Sequence, residues 1–217
     1  ISADGEYIAV GGEDCKLYLF AKDSSTPIWT KALSGDDGED SEVYALAISA
    51  DGEYITAGTN GDIVYLFRKN SSTPIWTYDV GLHGVSELAI SADGEYIAAA
   101  GGSNNKVFLW DKDSSTPSWS YSASSLVDFI DISADGEYII ASSNNGVYLF
   151  DKDSSTPLWN YHVSSSLHDI AISSNGEYVA AAYEGSTDKL FLFSIDSNAP
   201  IWSYEDSDGF KSVAFSA

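Results

Sequence analysis

The sequence predicts an all-β fold of repeated four-stranded units, and three observations support this prediction. A motif reading Ile-Ser-Ala-Asp-Gly-Glu-Tyr recurs along the whole chain, every copy is followed by short apolar runs between turn signals, and no segment has helical periodicity. The motif begins at Ile1, Ile48, Ile90, Ile132 and, as Ile-Ser-Ser-Asn-Gly-Glu-Tyr, Ile172. A period of about 40 to 47 residues indicates a repeat architecture.

The first strand of each unit ends at the start of this motif. The five predicted segments are Val43–Ser49, Val85–Ser91, Val127–Ser133, Leu167–Ser173 and Phe210–Ser216. Asp-Gly, or Asn-Gly in the last copy, then forms a tight hairpin, because glycine accepts positive φ and the Asx side chain can cap the turn. The second strand follows at Tyr7–Gly11, Tyr54–Gly58, Tyr96–Ala100, Tyr138–Ser142 and Tyr178–Ala182.

The third strand is the most regular segment, and a proline introduces the fourth. Runs such as Val147-Tyr148-Leu149-Phe150 suit a strand that is buried on both faces. All prolines precede a tryptophan by two residues, at Pro27, Pro74, Pro117, Pro157 and Pro200. Proline lacks a ladder donor and belongs at an edge strand, while the repeated indole is expected to set the spacing between units.

Four strands per unit at this period predict a single β-propeller domain over residues 1–217 with five blades. The repeats are 1–47, 48–89, 90–131, 132–171 and 172–217. We expect Lys211–Ala217 to lie beside Tyr7–Gly11 and to close the ring as its missing inner strand. The alternative is that the chain is part of a larger propeller, since Ile1–Ala3 and Phe215–Ala217 correspond to the same position. The chain contains no Met, so we expect that Ile1 is not a native translation start.

Two family resemblances follow from these motifs. The segment from Ile90 to Asp113, with Leu109-Trp110-Asp111, resembles the core of a WD repeat, and the other copies carry Phe in place of that Trp. The segment Val147–Trp159 resembles the tryptophan-docking repeat of quinoprotein-type propellers. Both resemblances imply a propeller, and the second implies an alternative function as a quinoprotein-type oxidoreductase with a quinone, Ca²⁺ and a stacking tryptophan over the axis.

Composition excludes several partners. The chain carries 33 acidic against 10 basic residues, a net charge of −23, and has no basic stripe. Such a surface repels phosphate backbones and anionic membranes, so we expect no nucleic-acid partner. No apolar run reaches the length of a membrane-spanning helix, and we expect no membrane insertion. The acidity also fits a structural domain of a cell-surface or secreted protein, but the sequence assigns no compartment and no oligomeric state.

Catalytic and metal motifs are not evident. Ser86, Asp128 and His168 fall in consecutive units, but the carboxylate rather than the histidine is in the middle, which is the wrong order for a hydrolase triad. The three histidines, His83, His162 and His168, lie in or near connections between units. Cys15 is the only cysteine. We therefore predict that the protein is not an enzyme and has no cofactor or metal site.

The five copies differ mainly at one end of the predicted propeller. The turns between first and second strands and between third and fourth strands are nearly constant, whereas the other two kinds of connection vary. Four residues before the last apolar residue of each first strand stand Tyr44, Ser86, Asp128, His168 and Lys211. With Phe129, Asp169 and Phe210, these ring residues are the predicted binding site for a protein, glycan or small ligand, and the alternative is a solvated rim.

Overall fold

A computed structural model describes residues 1–81, 84–101, 105–163, 166–183, 188–207 and 209–216. Within these ranges the chain forms strands, turns and loops, and no helix. The strands assemble into five antiparallel sheets that follow the order of the repeats. These sheets confirm the predicted all-β propeller fold.

Each of the five sheets comes from one stretch of the chain. The first contains β1 (Tyr7–Gly11), β2 (Lys16–Ala21) and β3 (Trp29–Ala32). The second contains β4 (Val43–Ile48), β5 (Tyr54–Thr59), β6 (Ile63–Arg68) and β7 (Trp76–Asp79). The third contains β8 (Val85–Ile90), β9 (Tyr96–Gly101), β10 (Lys106–Asp111) and β11 (Trp119–Ser122).

The last two sheets repeat this pattern. The fourth contains β12 (Val127–Ile132), β13 (Tyr138–Ser143), β14 (Gly146–Asp151) and β15 (Trp159–His162). The fifth contains β16 (Leu167–Ile172), β17 (Tyr178–Tyr183), β18 (Asp188–Ser194) and β19 (Trp202–Asp206). In every four-stranded sheet the strands pair in chain order, so the first strand lies at the inner edge and the Pro-x-Trp strand at the outer edge.

The repeated turn has the structure that its sequence predicts. In the second sheet, Gly52 has a φ of 69°, and the carboxylate of Asp51 accepts the backbone N–H of Glu53 at 2.9 Å. Ser49 Oγ donates to the same carboxylate at 2.7 Å and accepts the N–H of Tyr54 at 3.0 Å. The same bonds recur at the other four turns, with Asn175 as the acceptor in the fifth.

Neighbouring sheets pack through four apolar clusters, one at each junction between consecutive sheets. At each junction the repeated tryptophan donates its indole N–H to a carbonyl of the next sheet. The four bonds are Trp29 to Lys69 (2.8 Å), Trp76 to Lys112 (2.8 Å), Trp119 to Lys152 (2.7 Å) and Trp159 to Ile195 (2.7 Å). The expectation that this indole sets the spacing between units is confirmed at these junctions.

The turns themselves are joined by a second series of hydrogen bonds. The N–H of Ala3 donates to the carbonyl of Ala50, and the series continues through Ala92 and Ala134 to Ser174, with bonds of 2.9 to 3.1 Å. Successive sheets are therefore joined through their turns as well as through their tryptophans.

The closure between the fifth and first sheets differs from the sequence-based expectation. The first sheet has three strands, and residues 209–216 form no ladder with β1 within the described part of the chain. Ile1–Ala3 already holds the position that Phe215–Ala217 was expected to take, because Ser2 and Ala3 make the repeated turn bonds. Residues 209–216 lie instead beside the fifth sheet, where Val213 donates its N–H to Asp169 at 2.8 Å. Ala217 lies outside the described residues.

Candidate functional site

The two kinds of variable connection lie together at one end of the propeller. The loop between β3 and β4 bonds to the loop between β5 and β6, through Asp36 N–H to Gly61 O at 2.9 Å and Asn60 N–H to Glu42 O at 3.1 Å. The constant turns lie together at the other end, where Lys69 N–H donates to Glu53 O at 2.9 Å. We call these ends the variable face and the constant face.

Four of the predicted ring residues share a backbone irregularity at the variable face. The register of the inner strand shifts between Val43 and Ala45, and it shifts at the equivalent residues of the next three inner strands. The extra residue in each shift is Tyr44, Ser86, Asp128 or His168. A β-bulge leaves its extra residue outside the ladder and redirects the side chain, and bulges are frequent beside binding sites.

The ring residues are not equally accessible. Tyr44 is 63% exposed, Ser86 and Lys211 are also exposed, and Asp128 and His168 are half-buried. Burial raises the pKa of Asp128. Lys211 corresponds to the same position in residues 209–216, but it lies in no strand. The structure thus presents an aromatic, a hydroxyl, a carboxylate and an imidazole at equivalent points of four neighbouring sheets.

The three additional residues of the predicted site are engaged in packing or hydrogen bonding. Phe129 packs against the cluster between the fourth and fifth sheets, and Phe210 meets Tyr204 edge to face at 6.0 Å between ring centres. Asp169 accepts the N–H of Val213 and, at 2.7 Å, the hydroxyl of Ser212. These contacts give Phe129, Phe210 and Asp169 a clear structural role, which does not test their predicted part in binding.

Two further carboxylates stand near the axis, on inner strands that are otherwise mostly apolar. Glu87 on β8 accepts the N–H of Ile130 at 2.7 Å, and Asp131 on β12 accepts the N–H of Ile172 at 3.0 Å. Each carboxylate therefore bridges to the next inner strand, as Asp169 does to Val213. Sequence reasoning did not single out Glu87 and Asp131. The available signal was a charged residue at an interior strand position: every counterpart of Asp131 is an alanine, and Asp169 occupies the position of Glu87 in the fifth unit.

Burial and mutual repulsion perturb these carboxylates. Burial raises the pKa of Glu87 to about 7, the hydrogen bond from Ile130 opposes this rise, and the charges of Asp169 and Asp131 add to it. Burial also raises the pKa of Asp131, while its two backbone N–H bonds lower it. The folded protein therefore favours a protonated Glu87 at pH values where an ordinary glutamate is charged.

We expect Glu87→Gln to remove one source of pH-dependent instability. The pKa of Glu87 is higher in the folded chain than its usual 4.5, so folded molecules hold a proton that unfolded molecules release between pH 4.5 and about 7. Wild-type stability should fall across that window, by at most about 1.4 kcal/mol per pH unit from this group. In urea unfolding at pH 4.5, 6 and 7.5, the free energy of unfolding of the variant should increase relative to that of the wild type as the pH rises. If the difference in free energy of unfolding between the variant and the wild type were the same at all three pH values, the raised pKa of Glu87 would be contradicted.

A cavity lies on the axis at the constant end. Its volume is about 480 Å³, and it is lined mainly by the last apolar residue of each inner strand and the small residues of the turns. Examples are Ile48, Ile90, Ala50 and Ala92, with Asp131 as the one charged side chain. None of the eight predicted site residues lines this cavity.

The described residues contain no group of three or more His, Cys, Asp or Glu side chains that could hold a metal ion. His162 lies near the carbonyl of Asn145, at 3.3 Å, and His83 lies outside the described residues. No helix among the described residues is long and apolar enough to span a membrane.

Comparison with known families identifies the type of repeat. A family model, PQQ_2, described as outer membrane protein assembly factor BamB, matches residues 59–216, which is more than half of the chain. The chain belongs to the PQQ_2 family. A second model, described as WD domain, G-beta repeat, matches residues 27–67. No curated protein matches the sequence.

Both resemblances found in the motifs are thus confirmed, although the WD match falls on a different copy. It covers β3 to β6, whereas the sequence motif that most resembles a WD repeat lies in the third unit. The PQQ_2 match extends from the end of β5 through residues 209–216.

Proposed function

We propose that the protein is a non-catalytic propeller scaffold that binds a protein partner on its variable face. The observation that carries this proposal is the set of four β-bulges, which place Tyr44, Ser86, Asp128 and His168 outside their ladders at equivalent positions. If the four bulges had only a structural role, their extra residues would not need to differ. A binding surface, in contrast, gains specificity from four different side chains.

The rigidity of the rest of the molecule supports a binding role. Every repeated feature, including the Asp-Gly turn and the tryptophan bond, fixes the sheets against one another and leaves the variable connections free to differ. The recognition residues are therefore held on a preorganised frame, which lowers the entropic cost of binding. Tyr44 and His168 offer an amphipathic surface, and side chains of this kind are common in protein interfaces.

The family description favours a protein as the partner over a glycan or a small ligand. The PQQ_2 family is described by the name of an assembly factor for outer membrane proteins, and an assembly factor acts on other proteins. Net charge limits the choice further, because a chain with a net charge of −23 repels acidic partners and attracts basic ones. The proposed partner is thus a polypeptide segment with basic and apolar residues.

Simultaneous replacement of Tyr44, Asp128 and His168 by alanine tests this function. Peptides selected on the wild-type protein from a displayed random library should lose at least about a hundredfold in affinity for the triple variant, measured by calorimetry. That loss corresponds to about 3 kcal/mol spread over three contact residues.

The matched control replaces Asp23, Asp113 and Asp153, which are exposed on the constant face, by alanine. This variant should keep its affinity for the selected peptides, and both variants should keep the wild-type circular dichroism spectrum. If the variant with alanine at Tyr44, Asp128 and His168 binds the peptides as tightly as the wild type, the variable face is not the binding surface.

The competing function is a quinoprotein-type oxidoreductase, and the tryptophans do not fit that cofactor. Trp29, Trp76, Trp119 and Trp159 bond to neighbouring sheets, and Trp110 is fully buried against Trp76 with ring centres 5.9 Å apart. Trp202 lies on the outer strand of the fifth sheet, so no tryptophan stacks over the axis. Incubation with a quinone cofactor and Ca²⁺, followed by gel filtration, should leave no bound quinone absorbance. A stoichiometric quinone band would support the oxidoreductase.

A further inference from the structure

The axial cavity at the constant end combines an apolar wall with a single carboxylate. The wall carries one isoleucine from each of four successive inner strands, namely Ile48, Ile90, Ile132 and Ile172. Asp131 is the one charged side chain among the lining residues. All five lie on β4, β8, β12 or β16, and each of these strands pairs with the next strand of its own sheet. The wall therefore does not depend on what precedes β1 or follows residue 216.

Two backbone N–H groups orient the Asp131 carboxylate. Oδ1 accepts the N–H of Ile132 at 2.8 Å, and Oδ2 accepts the N–H of Ile172 at 3.0 Å. A carboxylate oxygen has two lone pairs, so each oxygen can accept a further hydrogen bond. Burial raises the pKa of Asp131, and the two backbone bonds oppose this rise. A cation beside the carboxylate would stabilise its charged form.

The described residues supply no cation for this carboxylate. The charges that act on Asp131 and on neighbouring Glu87 are those of other carboxylates, including Asp169. Lysines pair with glutamates of the turns instead, as Lys112 does with Glu95. The same part of the chain offers no group of three ligands for a metal ion, which favours an organic cation as the counter-charge.

The paired strands do not require a carboxylate at this position. The counterparts of Asp131 in the other four copies are Ala47, Ala89, Ala171 and Ala214. Ala47, Ala89 and Ala171 pair with the following strand just as Asp131 does. A partly buried charge that strand pairing does not need is an informative departure from the repeat. We therefore assign Asp131 a role in recognition.

We propose that this cavity binds a small primary amine with an apolar body. The protonated amino group donates hydrogen bonds to the Asp131 carboxylate, and the apolar body packs against the four isoleucines. Charge-assisted hydrogen bonds are strong, and an apolar pocket with few polar groups is the usual form of a small-molecule site. A primary amine fits better than a quaternary ammonium, which has no N–H to donate and is recognised by aromatic rings.

The turns hold the rim of the cavity in a fixed arrangement. The N–H of Ala50 donates to the carbonyl of Ala92 at 3.0 Å, and that of Ala92 donates to Ala134 at 2.9 Å. All three alanines line the cavity. A preformed rim lowers the entropic cost of binding. The amine site lies at the opposite end of the propeller from the variable face, so it is independent of the proposed protein-binding function.

Phenethylamine and its neutral analogue phenethyl alcohol test the proposal. Methyl NMR spectra of the whole chain, labelled at isoleucine, report binding at the four isoleucines of the wall. Because the net charge of −23 attracts any amine weakly, roughly 0.5 M NaCl is included to screen non-specific attraction. The amine should shift these four methyl signals until they saturate. The alcohol should bind at least about tenfold more weakly, because it lacks the charge.

Substitutions at Asp131 identify the carboxylate as the recognition group. Asp131→Asn keeps the shape of the side chain and should weaken phenethylamine binding by roughly ten- to a hundredfold. Asp131→Ala introduces the residue that the other copies carry and should cause a similar loss. Asp23→Asn is the matched control, because Asp23 is exposed on the constant face and does not line the cavity. This control should keep the wild-type affinity.

Three results would overturn the proposal. Phenethylamine could leave the isoleucine signals unchanged, it could bind no more tightly than phenethyl alcohol, or it could bind Asp131→Asn as tightly as the wild type. The first two comparisons use the wild-type chain, so they hold even if a variant fails to fold. None of the three results bears on the variable face, whose test is the affinity for selected peptides.

Discussion

Replacing Trp76 with alanine should lower the free energy of unfolding by about 3–5 kcal/mol. The side chain is 9% exposed, packs on Trp110 and donates its indole N–H to Lys112 O at 2.8 Å. Its removal opens a cavity between the second and third sheets and leaves the Lys112 carbonyl without its partner.

Trp202→Ala provides the matched control, since Trp202 has the same repeat position but is 45% exposed. This substitution should lower the free energy of unfolding by no more than about 1 kcal/mol. Denaturation of both variants in urea measures the difference between their free energies of unfolding. Equal losses would mean that the indole acts within its own sheet and not across the junction.

Gly136→Ala should destabilise the protein by about 2–5 kcal/mol, as the sum of two effects. Gly136 has a φ of 74°, which costs a residue with a β-carbon about 1–2 kcal/mol. A β-carbon there would also overlap the ring of Tyr96 from the preceding sheet, and overpacking of this kind costs about 1–3 kcal/mol.

Gly5→Ala separates the two effects. Gly5 has a φ of 72°, but nothing lies within 4 Å of the added carbon, so only the backbone cost of about 1–2 kcal/mol should remain. Thermal unfolding followed by circular dichroism should show a clearly larger decrease in Tm for Gly136→Ala. A similar decrease in both variants would place the whole cost in the backbone.

The sequence was sufficient to predict every element that the repeats carry. The Asp-Gly turn, the buried third strand and the Pro-x-Trp edge strand each follow from local chemistry, and five copies in phase made the period unambiguous. Four of the five predicted inner strands lie within one residue of their observed ends, for example Val43–Ser49 against Val43–Ile48, whereas Phe210–Ser216 forms no strand. Local propensity and packing agree at these positions, which is why sequence alone locates them.

Closure depends on long-range geometry that no repeat encodes. The fifth inner segment, Phe210–Ser216, has the composition of a strand, but a ladder requires a neighbour at hydrogen-bonding distance. Because Ile1–Ala3 occupies the turn position of the first sheet, β1 and residues 210–216 do not pair with each other. Curvature is set by the accumulated angle between sheets, and a sequence gives no direct measure of it.

The equivalence of the ring residues follows from the sequence, whereas their role in binding stays a prediction. Comparing the copies identified Tyr44, Ser86, Asp128 and His168 as equivalent, and their shared bulge became visible only in the hydrogen-bond register. Glu87 and Asp131 were missed, because a charged residue in an inner strand does not by itself reveal which backbone group it contacts. Their bonds to Ile130 and Ile172 cross between units, and contacts between units cannot be read from one repeat.

The bonds that tie each sheet to the next have a consequence for how the molecule opens. The apolar clusters join each sheet only to its neighbours in the chain, so the second, third and fourth sheets are supported on two sides. A disturbance in one sheet therefore reaches a distant sheet only through the sheets between them, as in a linear array of repeats.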